Sequence, residues 1–213
     1  EKIGLFWLRD DFRTIKNDGL IEATKNHDQV VVFYLHKPDT YKHQEAQKWW
    51  LSKSLSNFRK KLNSLNINLE IVNTNSFKFF FDDLLKKKNF NIYWNKVYEP
   101  DYLKFDEYLS SNLNKKKIYF KRFKGNALNE INEIKKGDGT PFKVFTPFWR
   151  TAEKFYIEKI PPRERMIKKC KKKITYFKNC IEPEKILPKK KWFKNFEKLW
   201  SPDEESASKE LKN

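Results

Sequence analysis

Apolar runs and helix-like spacings alternate along the first 125 residues of the chain. Residues 3–8 and 29–35 are continuous apolar runs rich in aromatic and β-branched side chains, a composition typical of strands buried on both faces. Three shorter runs of the same kind are also predicted to be strands: residues 69–72, 91–94 and 118–123. The pattern therefore predicts five strands.

The clearest helix lies between the second and third strands. Its apolar side chains recur every three or four residues and share one helix face: Leu51, Leu55, Phe58, Leu62 and Leu65. Ala46 and Trp50 extend this stripe, so Trp50 is predicted to be buried. Trp49 lies about 100° around the helix, where it could stack on a planar ligand or contact the core or a neighbouring domain; core or domain contact is favoured.

Further helices are predicted at residues 18–25, 77–88 and 102–113. Strands separated by helices of this length pair in parallel through right-handed crossovers. The predicted fold class is α/β, a doubly wound, Rossmann-like, five-stranded parallel sheet with helices on both faces. Ligands of such sheets bind outside the carboxyl ends of the strands, at the point where the strand order reverses. The loops there are residues 9–16, 36–42, 73–76 and 95–102.

Residues 137–150 (GDGTPFKVFTPFWR) begin with a turn signal and continue with five aromatic or β-branched residues in eight positions. Pro147 argues against one continuous helix or a central strand. The segment is either a connector between two bodies of protein or a short strand and helix start within a single core. Prolines and lysines then dominate up to residue 200, which predicts a long basic connector over residues 136–200 with few elements of its own.

A helix start is predicted after Trp200. Ser201 suits the N-cap and Pro202 the first helical position, and the three acids that follow complement the positive end of a helix. Residues 201–213 are too few to bury such a helix, so we expect them to be the start of a domain that is missing here.

The net charge of +18 favours a polyanionic partner, most commonly nucleic acid. Residues 161–200 carry 14 Lys/Arg against 4 Asp/Glu. An AT-rich genome that favours Lys, Asn, Ile and Phe explains this composition equally well. The lysines at 168–173 either attract a polyanion or form an ordinary solvated charge run.

Several classes of protein are disfavoured. Two cysteines among lysines do not predict a disulfide framework, and three histidines without cysteine pairs give no zinc pattern. No run approaches the length of a membrane span and no leader precedes the first strand, so the cytoplasm is the expected compartment. The five glycines form neither a dinucleotide fingerprint nor a P-loop, which disfavours a free-standing nucleotide-binding module.

Five segments, in order, resemble one family, the DNA photolyases and cryptochromes. GLFWLRDDFRTIKNDGL resembles the family's first strand and arginine-rich turn, and FYLHKPDT with EAQKWWLSKSL its second strand and long helix. IYWNKVYEPDYLKFDE resembles the fourth strand and its loop. GNALNEINEIKKGDGTPFKVFTPFWR resembles the link out of the α/β domain, and LWSPDEESASKEL the start of the helical domain.

The resemblance implies an amino-terminal α/β domain, residues 1–135, that holds a light-harvesting antenna. In this family a larger helical domain binds FAD and the lesion in UV-damaged DNA. Repair is electron transfer from excited, reduced flavin to a cyclobutane pyrimidine dimer that is flipped out of the duplex. The 213 residues alone, a monomer with no catalytic residue of their own, are therefore not expected to repair DNA. A cryptochrome, which signals and does not repair, is the alternative within the family.

The antenna is either a deazaflavin or methenyltetrahydrofolate, and the chain departs from the pattern for each. Pro100, Asp101 and Tyr102 stand where the folate-binding branch has its Asn-Glu pair, and Asp10 replaces the second arginine of the deazaflavin-binding branch. Asp101 is also a candidate helix cap. The candidate antenna residues are Arg9, Asp10, His36, Asp39, Glu45, Lys48, Trp49, Asp101 and Tyr102. Arg9 is otherwise expected to pair with Asp10 or Asp11 in an ion-paired turn, and Asp39, Glu45 and Lys48 to be solvated charges at a helix start.

The glycine turn at the start of the connector is a candidate DNA contact. Thr140 and Lys143 follow it, and we expect Lys143 to contact a phosphate beside the lesion. Packing of Phe142 is an equally good explanation for this loop.

Overall fold

The computed structural model describes residues 2–41, 44–130, 132–158 and 166–212. Its centre is a sheet of five parallel strands: β1 (Ile3–Leu8), β2 (Val30–His36), β3 (Asn68–Asn73), β4 (Phe90–Asn95) and β5 (Phe120–Phe123). A two-residue strand, β6 (Cys180–Ile181), pairs antiparallel with β3, so the strand order is β5-β4-β1-β2-β3-β6. The five predicted parallel strands are confirmed. The sixth strand was not expected, since it comes from the connector.

Four helices connect the parallel strands: α1 (Asp18–Asn26), α2 (Glu45–Ser64), α3 (Phe77–Leu84) and α4 (Pro100–Lys115). Side chains alternate between two apolar layers because successive residues of a strand face opposite ways. Leu5 and Trp7 of β1 pack with α3 and α4, whereas Phe6 and Leu8 pack with α1 and α2. Helices therefore cover both faces of the sheet, as predicted for a doubly wound fold.

The connector contributes both helical and extended segments. Helix α5 (Phe145–Glu158) begins within the aromatic segment. Pro147 lies in its first turn, where backbone N–H groups have no partner within the helix, so the N–H that proline lacks costs no hydrogen bond. A short helix, α6 (Phe196–Leu199), follows later. Phe177, Ile186 and Phe193 are buried, so residues 166–195 pack onto the α/β layers as part of their core.

A buried carboxylate holds the connector against the edge strand β3. Glu70 accepts hydrogen bonds from the backbone N–H groups of Tyr176 (2.9 Å) and Phe177 (2.6 Å) and from the Asn68 side chain (2.9 Å). These bonds satisfy a carboxylate that is 3% exposed. They also align the segment that continues into β6.

The prediction that Trp50 is buried was wrong, whereas Trp49 makes the core contact that was favoured for it. Trp49 is 1% exposed, and Trp50 is 45% exposed. The connector folds back over α2 and covers Trp49, whose ring centroid lies 5.8 Å from that of Phe196. Trp50 instead faces Trp200, with ring centroids 6.1 Å apart. Ala46 is exposed too, so the apolar stripe does not extend as expected.

The last helix, α7 (Glu204–Glu210), begins two residues later than the prediction requires. Its N-cap is Asp203, whose side chain accepts from the Ser206 N–H at 2.8 Å. Ser201 was expected to be the cap, but its hydroxyl donates to Asp203 instead (2.7 Å). Pro202 therefore precedes the helix.

Candidate functional site

The strand order reverses between β1 and β4, because β1 has β2 on one side and β4 on the other. The loops that follow β1 and β4 therefore diverge at the carboxyl edge of the sheet, where doubly wound folds bind ligands. Among the described residues, the cavities at this edge include one between the ends of β2 and β3 and the starts of α3 and α4, and one beside the loop after β1.

Arg9 is the first residue after β1, and it is buried. Its guanidinium forms an ion pair with Asp106 of α4, and Asp106 also accepts from Trp94 Nε1 at 3.1 Å. The guanidinium carbon lies 4.0 Å from the centroid of the Trp7 ring and 5.2 Å from that of Tyr102. Burial lowers the pKa of Arg9, while the charge of Asp106 opposes that shift. Arg9 therefore packs near the Tyr102 ring and helps to fix its position.

The partner expected for Arg9 was wrong. Asp11 binds Arg13 instead, through Oδ1 to Nε at 2.7 Å and Oδ2 to Nη2 at 2.9 Å. Asp106 was missed, although it falls on the same face of α4 as the buried Leu109 and Leu113. A carboxylate on such a face requires a cation or donors, which is the signal that could have found it.

The first cavity, of about 440 Å³, lies between the ends of β2 and β3 and the starts of α3 and α4. The centroids of the Phe77 and Tyr102 rings are 6.1 Å apart, and those of Phe77 and Phe105 are 5.9 Å apart. Its lining residues are Tyr34, Leu35, Lys37, Asn75, Ser76, Phe77, Lys78, Glu99, Asp101, Tyr102 and Phe105. Aromatic walls with charges of both signs suit a planar ligand that carries polar groups.

Asp101 and Tyr102 of the candidate antenna residues line this cavity. Asp101 is not the helix cap: α4 begins at Pro100 with Glu99 as N-cap, and Asp101 lies in the first turn, where its charge complements the helix dipole. Asp10 instead lines the cavity beside the loop after β1. Partial desolvation raises the pKa of Asp10, and the charge of Glu99 raises it further, whereas Arg9 opposes this shift.

His36, Glu45 and Lys48 form a second group. His36 ends β2 and is buried, and its pKa is lowered by burial first and then by the positive charge of Lys48. Lys48 Nζ lies 3.3 Å from Glu45 Oε1. Asp39 is exposed in a 3-10 turn, and Trp49 is enclosed beneath Phe196. The structure therefore brings candidate residues together in two groups and leaves Asp10, Asp39 and Trp49 apart.

The second cavity, of about 880 Å³, lies between the loop after β1, residues 124–129 after β5 and Phe155 of α5. Asp11 at its wall also accepts from Asn95 Nδ2 (3.0 Å), and Asn95 donates to Asn17 Oδ1 (2.9 Å). Asn95 ends β4, so it fixes the loop after β1 across the switch point. The sequence analysis did not single out Asn95.

Glu204 of α7 holds the same loop from the outside. Its carboxylate accepts from Thr14 Oγ1 (2.6 Å), from Thr14 N (2.9 Å) and from Ile15 N (3.0 Å). Burial alone would raise the pKa of Glu204, but these hydrogen bonds and the charge of Lys61 outweigh it and lower the pKa. Residues after the connector thus shape the switch-point loop.

The candidate DNA loop lies outside both cavities. Thr140 and Lys143 are exposed, and Thr140 donates to Asp138 Oδ1 from N (2.9 Å) and from Oγ1 (2.6 Å). Gly139 has a φ of +81°, a conformation that favours glycine. Hydrogen bonds within the loop therefore give it a defined shape.

An exposed aromatic face follows this loop on α5. Phe145 is 71% exposed and Trp149 is 44% exposed, and their rings stack with centroids 6.2 Å apart. Val144 and Leu128 are exposed as well. The aromatic segment therefore exposes an apolar surface.

Two further classes of site are not present in the part of the chain that the structure describes. Within residues 2–41, 44–130, 132–158 and 166–212, no group of three His, Cys, Asp or Glu side chains is placed to hold a metal ion. No helix in those ranges combines the length and apolar character needed to cross a membrane.

Known proteins resemble the chain over most of its length. Deoxyribodipyrimidine photo-lyases of Agrobacterium fabrum and Vibrio cholerae are each 26% identical to it. The first alignment covers 97% of the chain and 43% of the relative, and the second covers 68% and 33%. The chain thus spans less than half the length of these curated relatives.

Solved structures show the same fold. A bacterial class III photolyase from Agrobacterium tumefaciens matches with a TM-score of 0.81 at 24% identity, over 99% of this chain and 44% of that one. A cryptochrome from Synechocystis matches with a TM-score of 0.69 at 18% identity, over 89% and 41%. An archaeal photolyase from Sulfolobus tokodaii, solved with two FAD molecules, matches with a TM-score of 0.62 at 17% identity, over 86% and 40%.

The family model described as DNA photolyase matches residues 4–166, most of the 213. Its match, the α/β architecture and the order of the elements agree with the resemblance seen in the five segments. The chain belongs to the DNA photolyase family, as an amino-terminal α/β domain of the photolyase/cryptochrome type.

Proposed function

We propose that the chain is the amino-terminal domain of a DNA photolyase, which repairs cyclobutane pyrimidine dimers by light-driven electron transfer from reduced FAD. The observation that carries this proposal is the family match over residues 4–166, together with relatives that are photo-lyases. The proposed division is an antenna domain of residues 1–135, a connector of residues 136–200 and the start of a helical domain from residue 201.

FAD is proposed to bind in the helical domain, where it supplies the electron when bound. The described residues of this chain do not fit its pyrophosphate at the switch point. Helix α1 starts nine residues after β1, and the Asn17 side chain already accepts from the N–H of Leu20 at its amino end. Backbone N–H groups there are therefore not arranged to cradle phosphates.

The occupant proposed for the exposed face of α5 is that same helical domain. A face with stacked Phe145 and Trp149 is too apolar for a surface that stays in water. The chain covers 43% of the Agrobacterium relative, so the relative has ample further chain with which to cover such a face. Glu204, which binds the loop after β1, would then fix the first helical segment of that domain.

The antenna is proposed to bind in the 440 Å³ cavity, with Tyr102 as its wall and Asp101 at its rim. The cavity fits a planar, polar chromophore because Phe77, Tyr102 and Phe105 present rings to it. Arg9 would act as a support for Tyr102. His36, Glu45 and Lys48 would contribute charge near the end of β2, and either a deazaflavin or methenyltetrahydrofolate remains a candidate ligand.

This assignment is tested by titrating the chain with methenyltetrahydrofolate and with a deazaflavin and following chromophore fluorescence. Tyr102→Leu is expected to weaken binding of the true antenna at least tenfold, about 1.4 kcal/mol. Tyr119→Leu removes a ring that is exposed at the other end of the strands and is expected to leave binding unchanged. Equal binding by both variants would refute the cavity as the site.

The loop of residues 136–143 is proposed to contact the DNA backbone through Lys143, with Thr140 holding the turn. Both residues are exposed, and the loop directly precedes the α5 face. In a complete photolyase this position would set the loop beside the junction of the two domains.

Repair itself is the decisive assay. The complete gene product, with reduced FAD, is given an oligonucleotide that carries one thymine dimer and is illuminated with blue light. We expect loss of the dimer in light and none in darkness, while the 213-residue chain alone should show no repair. FAD binding without any repair would favour the cryptochrome alternative, which the structural match to the Synechocystis cryptochrome leaves as the second candidate.

A further inference from the structure

The amino ends of the parallel strands meet at the edge of the sheet opposite the cavities. Helices α3 and α4 end at this edge. The residues at or just after these ends, 86–88 and 115–117, are all lysines with exposed side chains. Residues 168–173 of the connector add five more exposed lysines around the buried Cys170. We call these three segments the lysine edge.

The connector run crosses this edge. The N–H of Cys170 donates to the carbonyl of Leu65, in the turn before β3, at 2.9 Å. The N–H of Lys171 donates to the carbonyl of Asp28, just before β2, at 3.0 Å. Backbone bonds therefore fix residues 168–173 across the starts of β2 and β3.

The same connector reaches the next lysine segment. The hydroxyl of Tyr176 donates to Asn89 Oδ1 at 3.2 Å, directly before β4. The Nζ of Lys87 lies 5.0 Å from the centroid of the Tyr176 ring. Residues 115–117 precede β5, the neighbour of β4, so the lysines continue along the whole edge.

The lysine edge concentrates like charge. Its three segments contain eleven lysines and no acidic residue. Two of these lysines are ion-paired, Lys86 with Asp83 at 3.1 Å and Lys171 with Asp28 at 2.6 Å. Mutual repulsion within such a row opposes folding unless a polyanion offsets it.

Helix dipoles explain only part of this charge. Lysines at 86–88 and 115–117 complement the negative ends of α3 and α4. Residues 168–173 have no helical conformation, and a dipole acts only within the last turn of its helix. The connector run therefore adds charge to an edge that the helix ends already make positive.

The dimensions of the edge suit double-stranded DNA. Five strands with a spacing of about 4.8 Å give a row about 19 Å long. A duplex carries one negative charge per about 1.7 Å of axis, hence roughly eleven over that length. Lysine binds phosphate as a point charge and not as a bidentate reader of bases, so the interaction would be independent of sequence.

We propose that the lysine edge is a second DNA-binding surface, which holds undamaged duplex through its phosphates on the side of the domain opposite the cavities. The choice of DNA as the polyanion rests on the proposed function. Its role would be to keep the protein on DNA while the lesion site of the complete photolyase searches.

The test uses fluorescence anisotropy of a short, undamaged, labelled duplex with the 213-residue chain over a range of salt concentrations. The triple variant Lys168→Gln, Lys169→Gln, Lys172→Gln removes three charges from the lysine edge. The matched control, Lys189→Gln, Lys190→Gln, Lys191→Gln, removes three exposed charges from another part of the connector. A second edge variant, Lys88→Gln, Lys115→Gln, Lys116→Gln, leaves the connector intact.

We expect each edge variant to flatten the plot of log affinity against log salt, by about 0.9 for every phosphate that the protein no longer neutralises and roughly 2.7 for three. Affinity at about 0.1 M salt should fall at least tenfold, while the control should change it less than about twofold. An equal decrease of affinity in the control, or tighter binding to phosphatidylserine vesicles than to duplex, would overturn the proposal.

The result is independent of the repair assay, because it needs neither flavin nor a lesion. Repair by the complete protein with unaltered duplex binding in the edge variants would remove this inference and leave the proposed function intact. Weakened duplex binding in the edge variants, without repair by the complete protein, would support this inference and contradict the proposed function.

Discussion

The ion pair between Arg9 and Asp106 lies next to Tyr102, a lining residue of the candidate antenna cavity, and its loss should greatly lower the stability of the fold. The two side chains are 3% and 1% exposed, and Asp106 also holds Trp94 Nε1 at 3.1 Å. Asp106→Asn leaves the guanidinium of Arg9 buried without a counter-charge. Removing one partner of a buried pair costs about 3–5 kcal/mol. That is a fifth or more of the roughly 5–15 kcal/mol by which domains are typically stable.

The assay is urea unfolding followed by tryptophan fluorescence. Asp83→Asn is the control, because Asp83 and Lys86 form an ion pair whose side chains are 72% and 76% exposed. Such a pair contributes at most about 1 kcal/mol. The double variant Arg9→Met with Asp106→Leu should recover most of the stability, since apolar replacement of a buried pair is often neutral or stabilising. A cost for Asp106→Asn no greater than that of Asp83→Asn would refute this reasoning.

Three other predictions concern carboxylates. The pKa of Glu204 is lowered in the folded chain. Its contribution to stability is therefore present near neutral pH and is lost as the pH falls through the pKa of the folded state. Glu204→Gln should cost about 1.5–3 kcal/mol at neutral pH and flatten the acid limb of thermal midpoint against pH; an unchanged limb would contradict this. The pKa of Asp10 is raised, so its contribution is present at low pH and is lost as the pH rises. Asp10→Asn should therefore raise the free energy of unfolding at neutral pH, by less than about 1 kcal/mol at an exposed position, and leave it unchanged in acid; an equal effect at both pH values would contradict this. Glu70→Ala removes the acceptor of two connector N–H groups and should speed tryptic cleavage in residues 168–178, measured by mass spectrometry; a wild-type rate would contradict the role given to Glu70.

The strands were predictable because their signal is local. Runs of apolar residues specify both buried faces of β1 and β2 without reference to the rest of the chain. The structure extends β3 and β4 by one residue at each end, and it starts β5 two residues later than predicted. The predicted end of α3 was four residues too late, because Leu85 and the lysines after it form a turn at the helix end.

Four residues of the predicted α2 stripe are buried: Leu51, Leu55, Phe58 and Leu62. The connector also buries the side of the helix that carries Trp49, which the apolar spacing did not predict. Ser52 lies on the buried stripe with Trp49 and Leu55, and its hydroxyl donates to the carbonyl of Pro183 at 2.8 Å. Ser52 is polar and its partner is 131 positions away, so this second buried side was not visible in the apolar spacing. Long-range partners of this kind carry no local signal.

The candidate site shows the same limit. Tyr102 and Asp101 were identified through the resemblance, and the structure places both at one cavity. Asp106 and Asn95 were missed, because their roles come from pairs that join the loop after β1 to α4 and β4. Both lie on elements that were predicted, but the pairing of those elements with the loop is a property of the tertiary fold.

The central claim is that the exposed face of α5 joins this domain to the half of a photolyase that holds FAD. It is tested most directly by Phe145→Glu with Trp149→Glu in the complete gene product, measuring retained FAD and blue-light repair of a thymine dimer. The account predicts loss of both, while the same substitutions leave the thermal midpoint of the 213-residue chain unchanged, since both rings are exposed there. Full repair by the substituted protein would contradict it.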